Sequence, residues 1–117
     1  MWYHDAGLRT PLTIVAVGVL LAGPAFAAPS PEKGAAISAQ CAVCHGSNGI
    51  SVDTSIPNLA GQHYPYLLEQ MNAFKQRTRK VPIMNELAAP LSEQQVEDLA
   101  AYFSSIPFRA GTAAKTK

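Results

Sequence analysis

Cys41-Ala42-Val43-Cys44-His45 decides how this chain is read. Its cysteines are the only two among 117 residues. A disulfide between positions so close together closes almost no loop and would stabilise little through chain entropy. Two thiols with two residues between them can instead each add across one of the two vinyl groups of a haem, and the histidine that follows is then delivered beneath the iron. The sulfurs end as thioethers. The His45 ring is expected to bind through Nε2 while its Nδ1–H donates to a backbone carbonyl, which orients the ring and raises its basicity. Two other uses of the motif fit less well. A dithiol redox pair needs an α/β domain, and a structural zinc site needs four donors, for which only His63 and the acids accompany these three.

Toward the amino end, Leu12 to Ala22 (LTIVAVGVLLA) is an apolar run of signal-peptide length, too short to cross a bilayer as a helix. Arg9 and the free amino terminus precede it and Gly23-Pro24 breaks it. Ala25-Phe26-Ala27 then supplies the small-x-small pattern that signal peptidase accepts. Residues 1–27 are therefore expected to be a signal peptide and 28–117 a single domain exported to the periplasm, with no stable membrane span after cleavage. Nine basic residues stand against eight acidic ones, and the leader holds one of each, Arg9 and Asp5. The balance stays near neutral, which gives no footing to nucleic-acid binding, and no sustained basic amphipathic helix points to a membrane surface. The charge is uneven, however, because Lys75, Arg77, Arg79 and Lys80 place four cations within six positions. So small a domain gains little from its own core, so a covalent cofactor would help to hold it together.

Downstream of the leader, Ser30-Pro31-Glu32 reads as an N-cap, an N1 proline and an acid matched to the dipole, opening a helix expected over Pro31 to Gln40 that ends at the cysteines. Gly46 to His63 is rich in Gly, Ser, Asn and Asp and reads as an ordered loop with a short helical turn near Leu59. Tyr64-Pro65-Tyr66 starts a second helix, with Leu67, Leu68, Met71 and Phe74 on one face, ending near Arg77 to Lys80. Val81-Pro82 forces extended backbone. A loop is expected to carry Ile83 to Glu86, with Leu87 to Ala89 helical. Ser92-Glu93-Gln94-Gln95 is a capping box, and Val96, Leu99, Tyr102, Phe103 and Ile106 follow at helical spacing, so the last helix spans Glu93 to Ser105. No stretch alternates with period two, so the domain is all-α. Gly111 to Lys117 is expected to be a polar tail.

Haem iron that only exchanges electrons wants a second protein ligand, so that its coordination changes little with its charge. A thioether, being soft, favours the reduced state. Beyond the leader the chain holds Met71, on the apolar face of a helix, and Met84, which follows Pro82 in the loop. His63 is the rival imidazole. Together these residues resemble a class I cytochrome c, in particular the small bacterial periplasmic members and one half of their di-haem relatives. The likeness covers Glu32 to Ile106. Pro57-Asn58-Leu59-Ala60-Gly61-Gln62 resembles the loop whose proline carbonyl accepts the proximal histidine's proton, which implies Pro57 in that role. Met84 falls where the family places its axial methionine. Asp98 to Phe103 resembles the carboxy-terminal helix, which in the family crosses the first helix at a glycine, implying Gly34 and Tyr102 as the crossing pair. Where the family often ends the middle helix with Gly before Arg, this chain has Thr78 before Arg79.

The resemblance implies a cytochrome c fold of three main helices plus short helical turns around one covalent haem c. It also implies single-electron carriage between redox proteins, with no enzymatic reaction. The expected haem walls are Ile37, Leu59, Leu67, Leu68, Phe74 and Val96. Partners are expected to dock near the exposed haem edge, steered by Lys75, Arg77, Arg79 and Lys80. Two alternatives stand beside this reading. One is a haem subunit relaying electrons within a larger dehydrogenase or oxidase complex. The other is a gas-binding or peroxidatic haem protein with an open sixth site.

Overall fold

A computed structural model describes residues 27–108, together with Gly18 and Gly23. Apart from Gly18, Gly23 and Ala27, the expected signal peptide lies outside the described residues, as does the tail beyond Phe108. Five helices follow in order: α1 (Pro31–Ile37), α2 (Ala39–His45), α3 (Tyr64–Lys75), α4 (Pro82–Ala88) and α5 (Glu93–Ser105). The described residues contain no strand. None of these helices is long and apolar enough to cross a membrane.

The caps read from the sequence are in place. Ser92 Oγ accepts the Gln95 N–H at 3.1 Å while Gln95 Oε1 accepts the Ser92 N–H at 2.9 Å, which satisfies two end donors of α5 reciprocally. Ser30 Oγ accepts the Lys33 N–H at 3.2 Å and opens α1. The expected single helix to Gln40 is instead two. Ser38 donates both its hydroxyl (2.9 Å) and its N–H (3.3 Å) to the Ala35 carbonyl, and this local competition with the helical ladder ends α1. Helix α2 then restarts at Ala39 and runs through the cysteine motif, which is helical rather than a terminator.

The end of α3 departs from both expectation and family habit. The helix stops at Lys75, and Arg77 takes a left-handed conformation (φ 58°). The Arg77 N–H donates to the Phe74 carbonyl at 3.1 Å, and the Thr78 N–H donates to the Ala73 carbonyl at 3.0 Å, which is a Schellman closure. Thr78 is thereby spared the left-handed position, and an unbranched arginine bears its cost of about 1–2 kcal/mol. The expected loop over Ile83 to Glu86 is α4. Val81 is extended, as a residue before proline must be, but Pro82 is the first residue of a helix rather than the bar to one.

Helix α1 packs on α5, α3 packs on α5, and α4 packs on α3. The α1–α5 crossing is at Gly34. A Cβ placed there would lie 2.0 Å from the Asp98 carbonyl oxygen and 2.7 Å from Tyr102 Cβ, so only glycine admits this approach. Asp98, itself buried, locks the crossing by accepting the Ser30 N–H at 2.7 Å and the Gln94 amide at 3.1 Å. Behind it Leu67, Leu91, Val96, Leu99 and Phe103 form the core.

Candidate functional site

Helix α2 delivers Cys41, Cys44 and His45 on one turn: Cys41 is half-buried, Cys44 exposed and His45 buried. The chain must leave that turn sharply. Gly46 does so at φ 84°, where a Cβ would strike the Ile50 carbonyl oxygen at 2.0 Å. The loop that follows contains no helix, and polar contacts stitch it. The Leu59 and Ala60 N–H groups donate to the Gly49 carbonyl at 2.8 and 3.0 Å, and the Ser51 N–H donates to Asn58 Oδ1 at 2.7 Å. Asp53 accepts the Ser55 N–H and hydroxyl at 2.8 and 2.7 Å, and these bonds hold its carboxyl below the usual carboxylate range.

This loop brings the Pro57 carbonyl to 2.7 Å from His45 Nδ1. A carbonyl can only accept, so Nδ1 carries the proton and the Nε2 lone pair is the one left for a metal. The ring lines a cavity of about 360 Å³, together with both cysteines. Ile56, Pro57 and Leu59 border it from the loop, Leu67, Met71 and Phe74 from α3, and Ile83, Met84 and Leu87 from α4. Leu99 and Phe103 of α5 complete it. Both methionines therefore reach the space that His45 faces. His63 does not line it; it is exposed at the start of α3. Burial pushes the Cys41 thiol up, the opposite of what a dithiol nucleophile needs.

Residues 31–107 match the cytochrome c family. The chain belongs to that family. It is 43% identical over 93 residues to a cytochrome c4 of Pseudomonas aeruginosa, a match covering 80% of this chain and 46% of that protein. It is 35% identical over 101 residues to the "thiosulfate dehydrogenase electron acceptor" of Thiomonas intermedia, covering 85% of this chain and 45% of the relative. The crystal structure of reduced recombinant cytochrome c4 from Pseudomonas stutzeri superposes with a TM-score of 0.66 at 40% identity, over 68% of this chain and 47% of that one. The chain thus spans about half the length of these relatives, as a chain resembling one half of a di-haem cytochrome should.

A cytochrome c carries haem c covalently, and the cavity suits it. Apolar side chains make most of the wall, two thiols stand at the spacing of the vinyl groups' attachment pattern, and an imidazole has its outer nitrogen already committed. The wall differs in part from the sequence expectation. Leu59, Leu67 and Phe74 line the cavity, whereas Ile37 and Leu68 pack beside the core and Val96 is fully buried within it. Ile56, Ile83, Leu87 and Phe103 join the wall beyond that expectation, and Met71, on the apolar face of α3, lines it too. Helical spacing marks an apolar stripe, and it is silent on whether a given residue meets a neighbouring helix or a cofactor.

The four cations in this cytochrome c are unequally free. The Lys75 ammonium donates to the Leu91 carbonyl, and Arg77 pairs with Glu86 at 2.8 Å. Arg79 lies over the Phe74 ring at 4.7 Å and donates to Gln70 Oε1 at 2.6 Å, both cavity-lining residues. Lys80 alone of the four has no polar partner among the described residues.

Proposed function

We propose that this cytochrome c carries single electrons between redox proteins in the periplasm, with His45 and Met84 as the protein ligands of one haem joined to Cys41 and Cys44. The observation that carries the reading is the hydrogen bond from His45 Nδ1 to the Pro57 carbonyl, on the wall of an apolar cavity that Met84 also lines. When bound, haem c supplies a one-electron couple at its iron. The chain supplies the rest. Pro57 holds the imidazole in one tautomer and strengthens it as a donor. The Met84 thioether favours the reduced state, and the apolar walls exclude water and disfavour the extra positive charge of the oxidised one.

Two side-chain ligands leave no open position for a substrate, which supports a carrier over a gas-binding or peroxidatic protein. The name of the Thiomonas intermedia relative supports a dehydrogenase as the class of electron donor. A redox titration followed in the visible spectrum tests the reading. The expected result is one reversible one-electron step and no binding of carbon monoxide by the reduced protein; ready binding would mean an open iron site and a different function.

Partners on this reading dock near the haem edge. Lys80 supplies a free charge for steering, Lys75 and Arg79 keep their charge beside neutral partners, and Arg77 is offset by Glu86. Association with an acidic partner is expected to slow as ionic strength rises, with a shallow slope. A rate that does not change with salt would remove the cluster from docking.

A further inference from the structure

The middle of the chain holds a buried amide that the haem cavity does not use. Asn85 is 4% exposed and does not line the cavity, yet every polar atom of its side chain is engaged. Its Nδ2 donates to two carbonyls, Phe74 at 2.8 Å and Arg79 at 2.8 Å, while Oδ1 accepts the Val81 N–H at 3.1 Å. One side chain thus joins the last turn of α3, the exposed linker between the helices, and the entry to α4.

Besides Asn85, α4 is held by its buried Ala88 and by the exposed pair of Glu86 with Arg77. It has only seven residues, too few to persist as a helix without tertiary support. Among the helices it packs on α3 alone, and its N-cap residue, Val81, makes no side-chain capping bond. The linker before it is tied by its own backbone to the end of α3 only as far as Arg79, whose N–H donates to the Ala73 carbonyl at 3.1 Å, and Val81 is extended. Met84 is the residue immediately before Asn85, on the same turn, half-buried and facing the cavity.

We infer that Asn85 is a positioning residue for Met84: by pinning the first turn of α4 to the end of α3, it sets how often the thioether leaves the iron. The inference rests on Met84 being the sixth ligand. When the pin is removed, α4 detaches more often without the α1–α5 core opening, and the detached fraction is open to an outside ligand. Apparent affinity for that ligand rises in proportion to the detached fraction.

The experiment is a titration of the oxidised, haem-loaded protein with imidazole, followed in the visible spectrum, on the native chain and on Asn85→Ala, Asn85→Asp, Met84→Ala and Asp98→Ala. Asn85→Asp keeps the acceptor for Val81 but loses both donors, so the question stays answerable if Asn85→Ala does not fold. Asp98→Ala weakens the helix crossing elsewhere and controls for general loss of stability. Both Asn85 variants are expected to bind imidazole roughly tenfold or more tightly than native, the change produced by a tenfold rise in the detached fraction. Asp98→Ala is expected to bind as native does. Native-like affinity in the Asn85 variants beside tight binding by Met84→Ala would overturn the role of Asn85 and leave the ligand standing. An equal rise in Asp98→Ala would overturn it too, as general loosening. Unchanged binding by Met84→Ala would overturn the ligand assignment itself, and the inference with it.

Discussion

A chain carrying Gly34→Val does not accumulate as a folded protein. The valine Cβ would have to sit 2.0 Å from the Asp98 carbonyl oxygen and 2.6 Å from its carbon, and both are backbone atoms of α5 that cannot swing aside. The helices must separate, and with them goes the hydrogen bond from Ser30 to the buried Asp98. A loss above ~4 kcal/mol is expected, set against a total stability of about 5–15 kcal/mol for a domain. Gly34→Ala is the sharper test, because in an ordinary helix interior it would stabilise by about 1 kcal/mol. Here its sign is reversed, with a fall of several degrees or more in melting temperature. Circular dichroism on the purified variants decides the matter; an alanine variant as stable as the native chain would mean that α1 does not pack on α5 at residue 34.

Met84→Ala is expected to have the largest effect on redox behaviour. The variant loses the soft donor that favours the reduced state, and its place falls to water or to whatever side chain can reach. Axial ligands move haem potentials over a range of about 0.8 V, so a drop on the order of 0.1 V or more is expected. The variant should also bind carbon monoxide when reduced. Met71 lines the same cavity and is the competitor. Met71→Ala is expected to keep native six-coordinate absorbance, its effect limited to a packing loss of about 2–5 kcal/mol or less. If the two variants exchanged these behaviours, Met71 would be the ligand.

Much of this was legible before any coordinates. Helix α5 spans Glu93–Ser105 as read, because a capping box and a single apolar stripe both mark local structure. The crossing at Gly34 was legible only through the family resemblance: no local rule makes that glycine different from one in a turn. Pro57 stood in the same position, since nothing in the chain's periodicity links a histidine to a carbonyl 12 residues on. Pro82 was misread for an instructive reason. Proline both bars a helix behind it and suits a helix ahead of it, and only the Asn85 amide, bonded across to Phe74 and Arg79, shows which meaning holds. The charge cluster shows the opposite limit. Four cations within six positions look alike in sequence, yet three are engaged by a carbonyl, a carboxylate and an aromatic face.

The crossing of the first and last helices also sets an order of events in time. Ser30 and Asp98, which meet at 2.7 Å, are 68 positions apart. On a chain exported amino end first, as the proposed function implies, α5 arrives after the cysteines. During that interval Cys41 and Cys44 belong to an open chain, because Leu67, Phe74, Met84 and Phe103, which wall the cavity, have yet to appear or to pack. Thioether formation can therefore precede closure, so that the walls assemble around a group already tethered.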